Sequence, residues 1–197
     1  MERQKGAQTL LIAVLAVAVL AMSIGFAAAA YNQNLTIGGT DNVTAKAAKW
    51  SVHYDTTTYA EQTGTGYKAS TAHDLTTTAW TFTVTLEPGE TYEATANVVN
   101  DGTFDAKLAN ITMSALNDAQ KAYLKYSVFV GGTEYTQTTN GLNVSLPKMN
   151  GTTPGSNTVK VVVQYIIPSD PSVLPTTDQT VTLSATLGYE SVVQSGA

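Results

Sequence analysis

Apolar and polar residues alternate with a period of two over several stretches beyond residue 30. The stretches 79–86 (AWTFTVTL), 91–99 (TYEATANVV) and 180–189 (TVTLSATLGY) carry an apolar residue at nearly every second position. Successive side chains of a strand point to opposite faces, so this pattern predicts strands with one face on a core and the other in water. The run 158–167 (TVKVVVQYII) is more continuously apolar and predicts a central strand covered on both faces.

Turn sequences separate these predicted strands. Residues 87–90 (EPGE) place Pro and Gly where a type II turn requires them. Residues 100–102 (NDG) predict a tight hairpin with positive φ angles, and Gly131 with Gly132 predicts another.

One stretch has helical character: residues 114–124 (SALNDAQKAYL), in which Asn117 or Asp118 is the expected N-cap. We interpret it as a short crossover helix between strands. Many strands with so little helix predict an all-β fold, an antiparallel β-sandwich of the jelly-roll type. The sandwich is expected to occupy residues 31–197.

Residues 10–30 (LLIAVLAVAVLAMSIGFAAAA) contain no charged residue and follow a basic, polar head. An apolar run of this length predicts an N-terminal hydrophobic leader helix within residues 1–30, which enters a bilayer at least during export. The domain that follows is therefore expected outside the cytoplasm, as a secreted or cell-surface protein.

Three fates of the leader are open. A signal peptide is favoured, because Arg3 and Lys5 form a positive head and small residues end the apolar run. The predicted cleavage region consists of Ala27, Ala28, Ala29 and Ala30. An uncleaved membrane anchor is the second, since the run is longer than most signal peptides carry. A pilin-type leader cut after Gly6 is the third, but Leu11 stands where such pilins carry glutamate.

Composition removes several classes of partner and chemistry. The net charge of −5 and the 13% share of charged residues argue against nucleic acid as a partner, which needs clustered Lys and Arg. The chain has no cysteine, which excludes disulfides, thiolate zinc sites, a cysteine nucleophile and a lipidated cysteine. No metalloprotease or serine-hydrolase motif is present, and no cofactor is expected.

The candidate catalytic residues are few. His53 is expected on the solvent face of a strand, and His73 lies in a polar stretch beside Asp74. Neither has partners that the sequence identifies, so ordinary surface histidines are the favoured interpretation. Catalysis is not expected.

Two further groups invite a functional interpretation. Asn100, Asp101 and Asp105 offer oxygen ligands for calcium, but the EF-hand spacing is absent and a turn explains them better. Trp50 and Trp80 suggest a carbohydrate-stacking platform, but both occupy apolar-face positions of predicted strands. That placement favours core packing.

Five N-x-[ST] sequons would carry glycans only in a host that glycosylates exported proteins. They begin at Asn34, Asn42, Asn110, Asn143 and Asn150. Residues 174–178 (LPTTD) resemble a sortase signal but have Asp in place of the required Gly, which favours a Pro-containing loop.

The first half of the sequence beyond the leader resembles exported bacterial proteins of the TasA/camelysin type. The shared features are a short strand after the leader (35–37), a W-x-V-H-[YF] run (50–54) and a P-G-x-x-Y strand leading to an N-D-G turn (88–102). The resemblance implies a secreted jelly-roll sandwich that assembles into surface or biofilm-matrix fibres. It also implies donor-strand complementation, in which the N-terminal strand of one subunit completes the sheet of the next.

The resemblance makes residues 31–37 (YNQNLTI) a detachable assembly strand. Its residues of interest are Tyr31, Asn34, Leu35, Thr36 and Ile37. Leu35 and Ile37 are the side chains expected to insert, Thr36 faces outward, and the linker 38–42 (GGTDN) is flexible. The alternative is that this strand pairs within its own domain.

The leading hypothesis is therefore an exported, self-assembling structural protein. Its main partner is itself, with other surface or matrix proteins as further partners. A secreted or membrane-anchored module that binds a glycan or a protein is the alternative, as is a pilin-like filament subunit that keeps its hydrophobic helix. An exported hydrolase is the least favoured.

Overall fold

The computed structural model describes residues 34–36, 42–44 and 48–192. The chain divides into two compact units, Met1–Ala48 and Lys49–Ala197. The predicted leader helix, the cleavage region at Ala27, Ala28, Ala29 and Ala30, and Tyr31 and Ile37 of the predicted assembly strand lie outside the described residues.

The described part of the first unit is a pair of short strands, β1 (Asn34–Thr36) and β2 (Asn42–Thr44). They pair antiparallel, with Leu35 opposite Val43, and form a two-stranded sheet by themselves. The described part of the predicted assembly strand is therefore paired with a neighbouring segment of its own chain.

The described part of the second unit consists mostly of strands, and every ladder between them is antiparallel. The strands are β3 (Val52–Glu61), β4 (Ala72–Leu75), β5 (Trp80–Thr83), β6 (Thr91–Asn100), β7 (Ala106–Met113), β8 (Leu124–Val130), β9 (Thr133–Tyr135), β10 (Thr139–Leu146), β11 (Gly155–Tyr165) and β12 (Ala185–Ser191). The prediction of an antiparallel all-β fold is confirmed.

Within residues 48–192 these strands form two main sheets and a separate hairpin. The five-stranded sheet has the order β3-β6-β11-β8-β9, and the three-stranded sheet has the order β10-β7-β12. Strands β4 and β5 pair only with each other among the described residues. We call this pair the β4–β5 hairpin.

The core is formed by side chains of both main sheets. In β6 the residues Tyr92, Ala94, Ala96 and Val98 are buried, and the residues between them are half-buried. The core residues from the other strands are Tyr126, Val128, Val130, Tyr135, Val159, Val161 and Val163 of the five-stranded sheet, and Ala106, Leu108, Ile111, Met113 and Leu146 of the three-stranded sheet. The two sheets thus cover each other's apolar faces, as the period-two pattern predicts.

Strand β11 is the central strand of the five-stranded sheet, as its apolar run predicts. The prediction that both its faces are covered is wrong. Its outer face carries Lys160, whose Nζ lies 3.6 Å from a carboxylate oxygen of Glu93 and 4.4 Å from the centre of the Phe129 ring. A charged residue in the middle of the run keeps this face half-exposed.

The predicted crossover helix is present but short. Helix α1 (Asp118–Lys121) joins β7 of the three-stranded sheet to β8 of the five-stranded sheet. Asn117 is its N-cap, and a capping box with Gln120 is complete. A 3-10 turn occupies Pro171–Val173. Neither element, nor any other described helix, is long and apolar enough to span a membrane.

Two of the three predicted turns are confirmed. Gly89 has a φ of 91°, and the Glu90 N–H donates to the Glu87 carbonyl at 2.9 Å, as the type II turn requires. Gly131 and Gly132 have φ of 58° and 87° and connect β8 to β9 in a tight hairpin.

The hairpin predicted at residues 100–102 is wrong. Strands β6 and β7 belong to different sheets, so this segment is a corner between the two layers. The fully buried Asn100 amide donates to the carbonyls of Phe104 (2.9 Å) and Leu146 (3.2 Å), and its Oδ1 accepts from the Gly102 N–H (3.0 Å). A Cβ on Gly102 would lie 2.6 Å from the Lys49 carbonyl oxygen, so glycine is required for close approach.

Replacement of Asn100 by alanine is expected to destabilise the fold by about 3 kcal/mol, because it strands several buried backbone groups without partners. Urea denaturation followed by circular dichroism measures this loss. Asn143→Ala, at an exposed position of β10, is the control and should change stability by less than about 0.5 kcal/mol. Equal stability of the two variants would contradict the corner's role.

Candidate functional site

The apolar face of the five-stranded sheet has a gap in its cover, between β5 and β12. A cavity of about 60 Å³ lies there, and we call it the slot. Its floor consists of Tyr54, Tyr126, Val128, Val159 and Val161, and its walls of Trp80 and Phe82 on one side and Leu183, Ser184, Ala185 and Leu187 on the other. Nearly all of these side chains are apolar or aromatic.

The chain segments that continue the two walls are extended but are not paired with any other described residues. Residues 84–86 follow β5, and residues 181–183 lead into β12. In both segments half-buried apolar residues alternate with exposed threonines, as in a strand. Neither segment makes a backbone–backbone hydrogen bond within residues 48–192. The side chains of both segments therefore alternate as in a sheet, although their backbones form no ladder within this range.

Both wall strands are edge strands among the described residues. Strand β12 is the last strand of the three-stranded sheet, and β5 has a ladder with β4 on one side only. An edge strand presents a row of unpaired N–H and C=O groups that another extended segment can pair with. The slot therefore combines mostly apolar and aromatic lining side chains with backbone edges, a combination found at sites that bind an extended peptide.

Trp80, one of the residues that line the slot, has a buried polar atom. Its ring packs edge-to-face against Tyr54 and Tyr59, at centroid distances of 6.3 and 5.8 Å. The indole Nε1 is buried and has no hydrogen-bond partner among the described residues. A buried donor without a partner costs about 1–3 kcal/mol.

A polar cluster fastens the β4–β5 hairpin to the end of β3. The Glu61 carboxylate accepts from the hydroxyls of Tyr59 and Ser70 and from the Ser70 backbone N–H at 3.2 Å. The His73 ring stacks on Tyr59 at 4.1 Å, and the Tyr59 hydroxyl lies 3.3 Å from that of Tyr92. This cluster and the aromatic contacts of β5 hold a hairpin that no ladder connects to the main sheets within residues 48–192.

The Glu61 cluster lacks the geometry of a catalytic triad. The Ser70 hydroxyl and the Glu61 carboxylate lie 3.4 and 4.0 Å from the same nitrogen of His73, Nδ1. A triad needs the nucleophile and the acid on opposite nitrogens of the ring, so that one nitrogen takes the proton while the other is held. This arrangement instead fixes a loop.

The charge state of Glu61 follows from its contacts. Burial acts to raise the pKa of the carboxyl, but the hydrogen bonds from Ser70 and Tyr59 outweigh it, so the pKa lies below its usual value. Burial, followed by the bond to Glu61, raises the pKa of the Tyr59 hydroxyl. Glu61 is thus an ionised acceptor at neutral pH, and Tyr59 is a neutral donor.

The predicted calcium ligands each make other contacts. Asn100 is used in the corner, and Asp105 accepts from the Lys148 N–H at 2.9 Å. Asp101 pairs with Lys49 at 3.2 Å and lies 3.9 Å from Nδ1 of His53. Within the described ranges no three acidic or histidine side chains group as metal ligands. His53 is half-buried against this pair rather than freely exposed.

The two tryptophans behave differently. Trp80 is half-buried and packs against the core, which confirms that part of the prediction. The core packing predicted for Trp50 is wrong, because its exposed fraction is 42%. Strand β3 begins only at Val52, so Trp50 precedes the ladder whose alternation suggested a buried position.

The sequons lie in different environments. Asn143 and Asn150 are exposed, and Asn110 stands half-buried in the central strand of the three-stranded sheet, opposite Gly188. Asn34 and Asn42 are the first residues of β1 and β2. Of the three sequons whose side chains the structure describes, Asn143 and Asn150 leave more room for a glycan than Asn110.

Sequence analysis missed Glu61, Tyr59 and Ser70. Their partners are separated by up to 33 residues along the chain, and a bulge in β3 between Asp55 and Ala60 shifts the alternation. A signal was nevertheless present: Glu61 follows Tyr59 with the spacing of one strand face, so a carboxylate shares the face of an aromatic residue.

Scans against protein-family models and searches of curated proteins and of solved structures found no match to this chain.

Replacement of Glu61 by glutamine is expected to lower stability at pH 7 by about 1–2 kcal/mol, because an ionised acceptor of several hydrogen bonds is lost. The folded-state pKa lies below the unfolded value, so the contribution of Glu61 is complete above about pH 4.3 and is lost as the pH falls through the folded pKa. Thermal unfolding between pH 7 and pH 3 measures both effects.

The variant should therefore lose less stability on acidification than the unaltered protein. Glu87→Gln, at an exposed turn position, is the matched control and should change stability at pH 7 by less than about 0.5 kcal/mol. Parallel pH profiles for Glu61→Gln and the unaltered protein would contradict the role given to this carboxylate.

Proposed function

We propose that this chain is an exported structural protein that assembles with copies of itself by strand exchange. The N-terminal strand of one copy, residues 31–37, occupies the slot of the next copy. The observation that carries the proposal is the slot itself, a groove lined mostly by apolar and aromatic side chains between two edge strands. The extended segments that flank it have no ladder within residues 48–192.

The chemistry of the strand suits the slot. Its alternation directs Leu35 and Ile37 to one face, where they would fill an apolar cavity, and Thr36 to the other. Its backbone supplies the N–H and C=O groups that the edges of β5 and β12 leave unpaired. Each apolar side chain removed from water adds about 1.5–3 kcal/mol to the association.

Strand β1 is weakly paired within its own chain, so moving it into another copy costs little free energy. Strands β1 and β2 share only the residue pairs 34–44, 35–43 and 36–42 among the described residues. A two-stranded hairpin this short is at best marginally stable in water. Occupation of a slot with partners on both sides replaces this pairing with a larger one.

The order of the strands supports the jelly-roll form of the sandwich. From β6 onward the chain passes alternately from one main sheet to the other: β6, then β7, then β8 with β9, then β10, β11 and β12. Connections that cross repeatedly between two layers are typical of jelly rolls and other Greek-key sandwiches.

Export and an extracellular location follow from the leader in this proposal. The chain contacts a membrane only during export, and its partners are its own copies and other surface or matrix proteins. The N-terminal residue of the protein recovered outside cells tests this part: a start near Tyr31 supports a cleaved signal peptide. A start at Met1 favours the anchored module, and a start after Gly6 favours the pilin-like filament.

The proposal assigns no enzymatic activity. The cluster that most resembles a catalytic site, Glu61 with Ser70 and His73, lacks a relay geometry and contacts a loop backbone. It is better explained as a fastening of the β4–β5 hairpin.

A binding module is the second candidate function. The observation that favours it is Trp50, an exposed aromatic ring of the kind that stacks on sugars. Trp50→Ala would abolish glycan binding in this case and leave self-assembly unaffected under the strand-exchange proposal.

Assembly is expected to depend on the inward face of the strand. Leu35→Asp places a charge in the apolar slot and should abolish high-molecular-weight species in sedimentation velocity and electron microscopy. Thr36→Asp, its neighbour on the outward face, is the matched control and should still assemble. Deletion of residues 31–37 should give a folded monomer. Filaments that persist after the deletion would contradict the strand-exchange mechanism.

The absence of cysteine from the natural chain allows a direct test by disulfide trapping. A chain carrying both Leu35→Cys and Ala185→Cys should form a ladder of covalent oligomers on oxidation, because Ala185 lines the slot. Leu35→Cys combined with Thr186→Cys, an exposed position on the opposite face of β12, is the control. Equal cross-linking in both would place the strand elsewhere.

A further inference from the structure

We propose that the inserted strand runs antiparallel to β12 and parallel to β5, with Leu35 opposite Ala185 and Ile37 opposite Leu183. The inference deepens the proposed function and rests on it, since it gives the direction and the register of the occupant. The strand would join the two covers into one mixed sheet.

Strand β5 runs opposite to β6. Phe82 stacks on Tyr92, at the start of β6, with 4.6 Å between the ring centres. Trp80 packs against Tyr54, which pairs with Val98 near the end of β6. The chain therefore passes from the end of β6 toward its start as it follows β5.

Strand β12 runs in the same direction as β6. Its last residue, Ser191, pairs with Ala106, which follows the corner that ends β6. Its first residue, Ala185, pairs with Met113 at the other end of β7. We call these two ends of the slot the corner end and the far end. Because the two walls run in opposite directions, a strand between them is parallel to one and antiparallel to the other.

The free edge of β12 presents backbone groups to the slot. The Ser184 N–H donates to the Ser114 hydroxyl at 2.8 Å, and the Ser184 carbonyl accepts from the Ser114 N–H at 2.9 Å. Both groups of Ser184 therefore point toward β7. Neighbouring residues of an antiparallel strand direct these groups to opposite sides, so those of Ala185 point to the free edge.

The free edge of β5 is placed in the same way. The Thr83 carbonyl accepts from the Thr71 N–H at 2.8 Å, on the side of β4, so the backbone groups of Phe82 point away from β4. An inserted strand with Leu35 facing inward bonds the antiparallel wall through Leu35 and the parallel wall through Thr36. Both edges are thus served by alternate residues of one strand.

The two ends of the slot differ in how the walls are held. At the corner end the Tyr54 N–H donates to the Thr77 carbonyl (2.9 Å) just before β5, and the Val192 N–H donates to the Asp105 carbonyl (2.7 Å) just after β12. At the far end the extended segments that continue the walls make no backbone–backbone hydrogen bond within residues 48–192. The far end is therefore where the walls give way to an entering chain.

The tether of the strand then sets its direction. In the proposed function the end near Tyr31 is a chain terminus, whereas Ile37 continues through the linker 38–42 to its own copy. Ile37 lies at the far end, where the linker leaves, so the strand runs from the corner end to the far end. Ala185 sets the register, because it is the smallest inward side chain of β12 in the slot and leaves room for Leu35.

Disulfide trapping tests the direction. Ile37→Cys combined with Leu183→Cys should form a ladder of covalent oligomers on oxidation, since the two positions face each other. Ile37→Cys combined with Leu187→Cys is the matched control and should stay monomeric in non-reducing, denaturing electrophoresis. Circular dichroism of both reduced proteins checks that they fold.

A second measurement leaves the slot unaltered. The acceptor is the full-length Leu35→Asp protein, labelled with nitrogen-15, and the probe is the peptide YNQNLTI with a nitroxide at one end. A nitroxide after Ile37 should broaden the amide signal of Leu183 more than that of Leu187, which lies about 13 Å further along the strand. A nitroxide before Tyr31 should do the reverse.

The possible failures are distinguishable. Coupling at Leu187 as strong as at Leu183, or the opposite pattern of broadening, would overturn the inference and leave strand exchange standing. The pair Leu35→Cys and Ala185→Cys couples in either direction of the strand. If that pair fails to couple and the peptide fails to bind, the proposed function is overturned instead.

Discussion

The rest of the structure depends on one constraint: the apolar face of the five-stranded sheet must be shielded from water. The five-stranded sheet presents buried side chains from β6, β11 and β8 across its width, and all of them must be shielded from water. The three-stranded sheet shields one part of this face, and the β4–β5 hairpin shields another. No ladder joins the two covers among the described residues. The slot is the part of the apolar face that neither cover shields.

Side chains rather than backbone ladders position one of the two covers. The hairpin is attached by the Glu61 carboxylate and by aromatic contacts of Trp80 and Phe82, including the stacking of Phe82 on Tyr92 at 4.6 Å. One backbone hydrogen bond, from the Tyr54 N–H to the Thr77 carbonyl (2.9 Å), adds to them. Such contacts hold β5 in place without bringing its edge into a ladder with the edge of β12. The polar cluster and the open groove are therefore two consequences of one arrangement.

The sequence predicts what is local and misses what depends on distant partners. Alternation identifies the inward residues Tyr92 and Val98, because the pattern of each strand depends on that strand alone. The turn at Gly89 is likewise predicted from its own four residues. The corner at Asn100 depends on Leu146, 46 residues away, so its Asn-Asp-Gly looked like a hairpin. Residues 84–86 show most clearly why the slot escaped prediction. Alternation records which side chains are buried, and it carries no information on whether the backbone is paired.

The separation of β1 and the slot into different units of the chain has a consequence for the shape of any assembly. Contacts between two different surfaces are head-to-tail, and they extend indefinitely unless the rotation between copies closes a ring. An assembly built this way has polarity: an unoccupied slot at one terminus and an unused strand at the other. It grows without branching, and a copy with a defective strand can join only at the terminus that offers its strand, where it leaves the assembly unable to grow further in that direction.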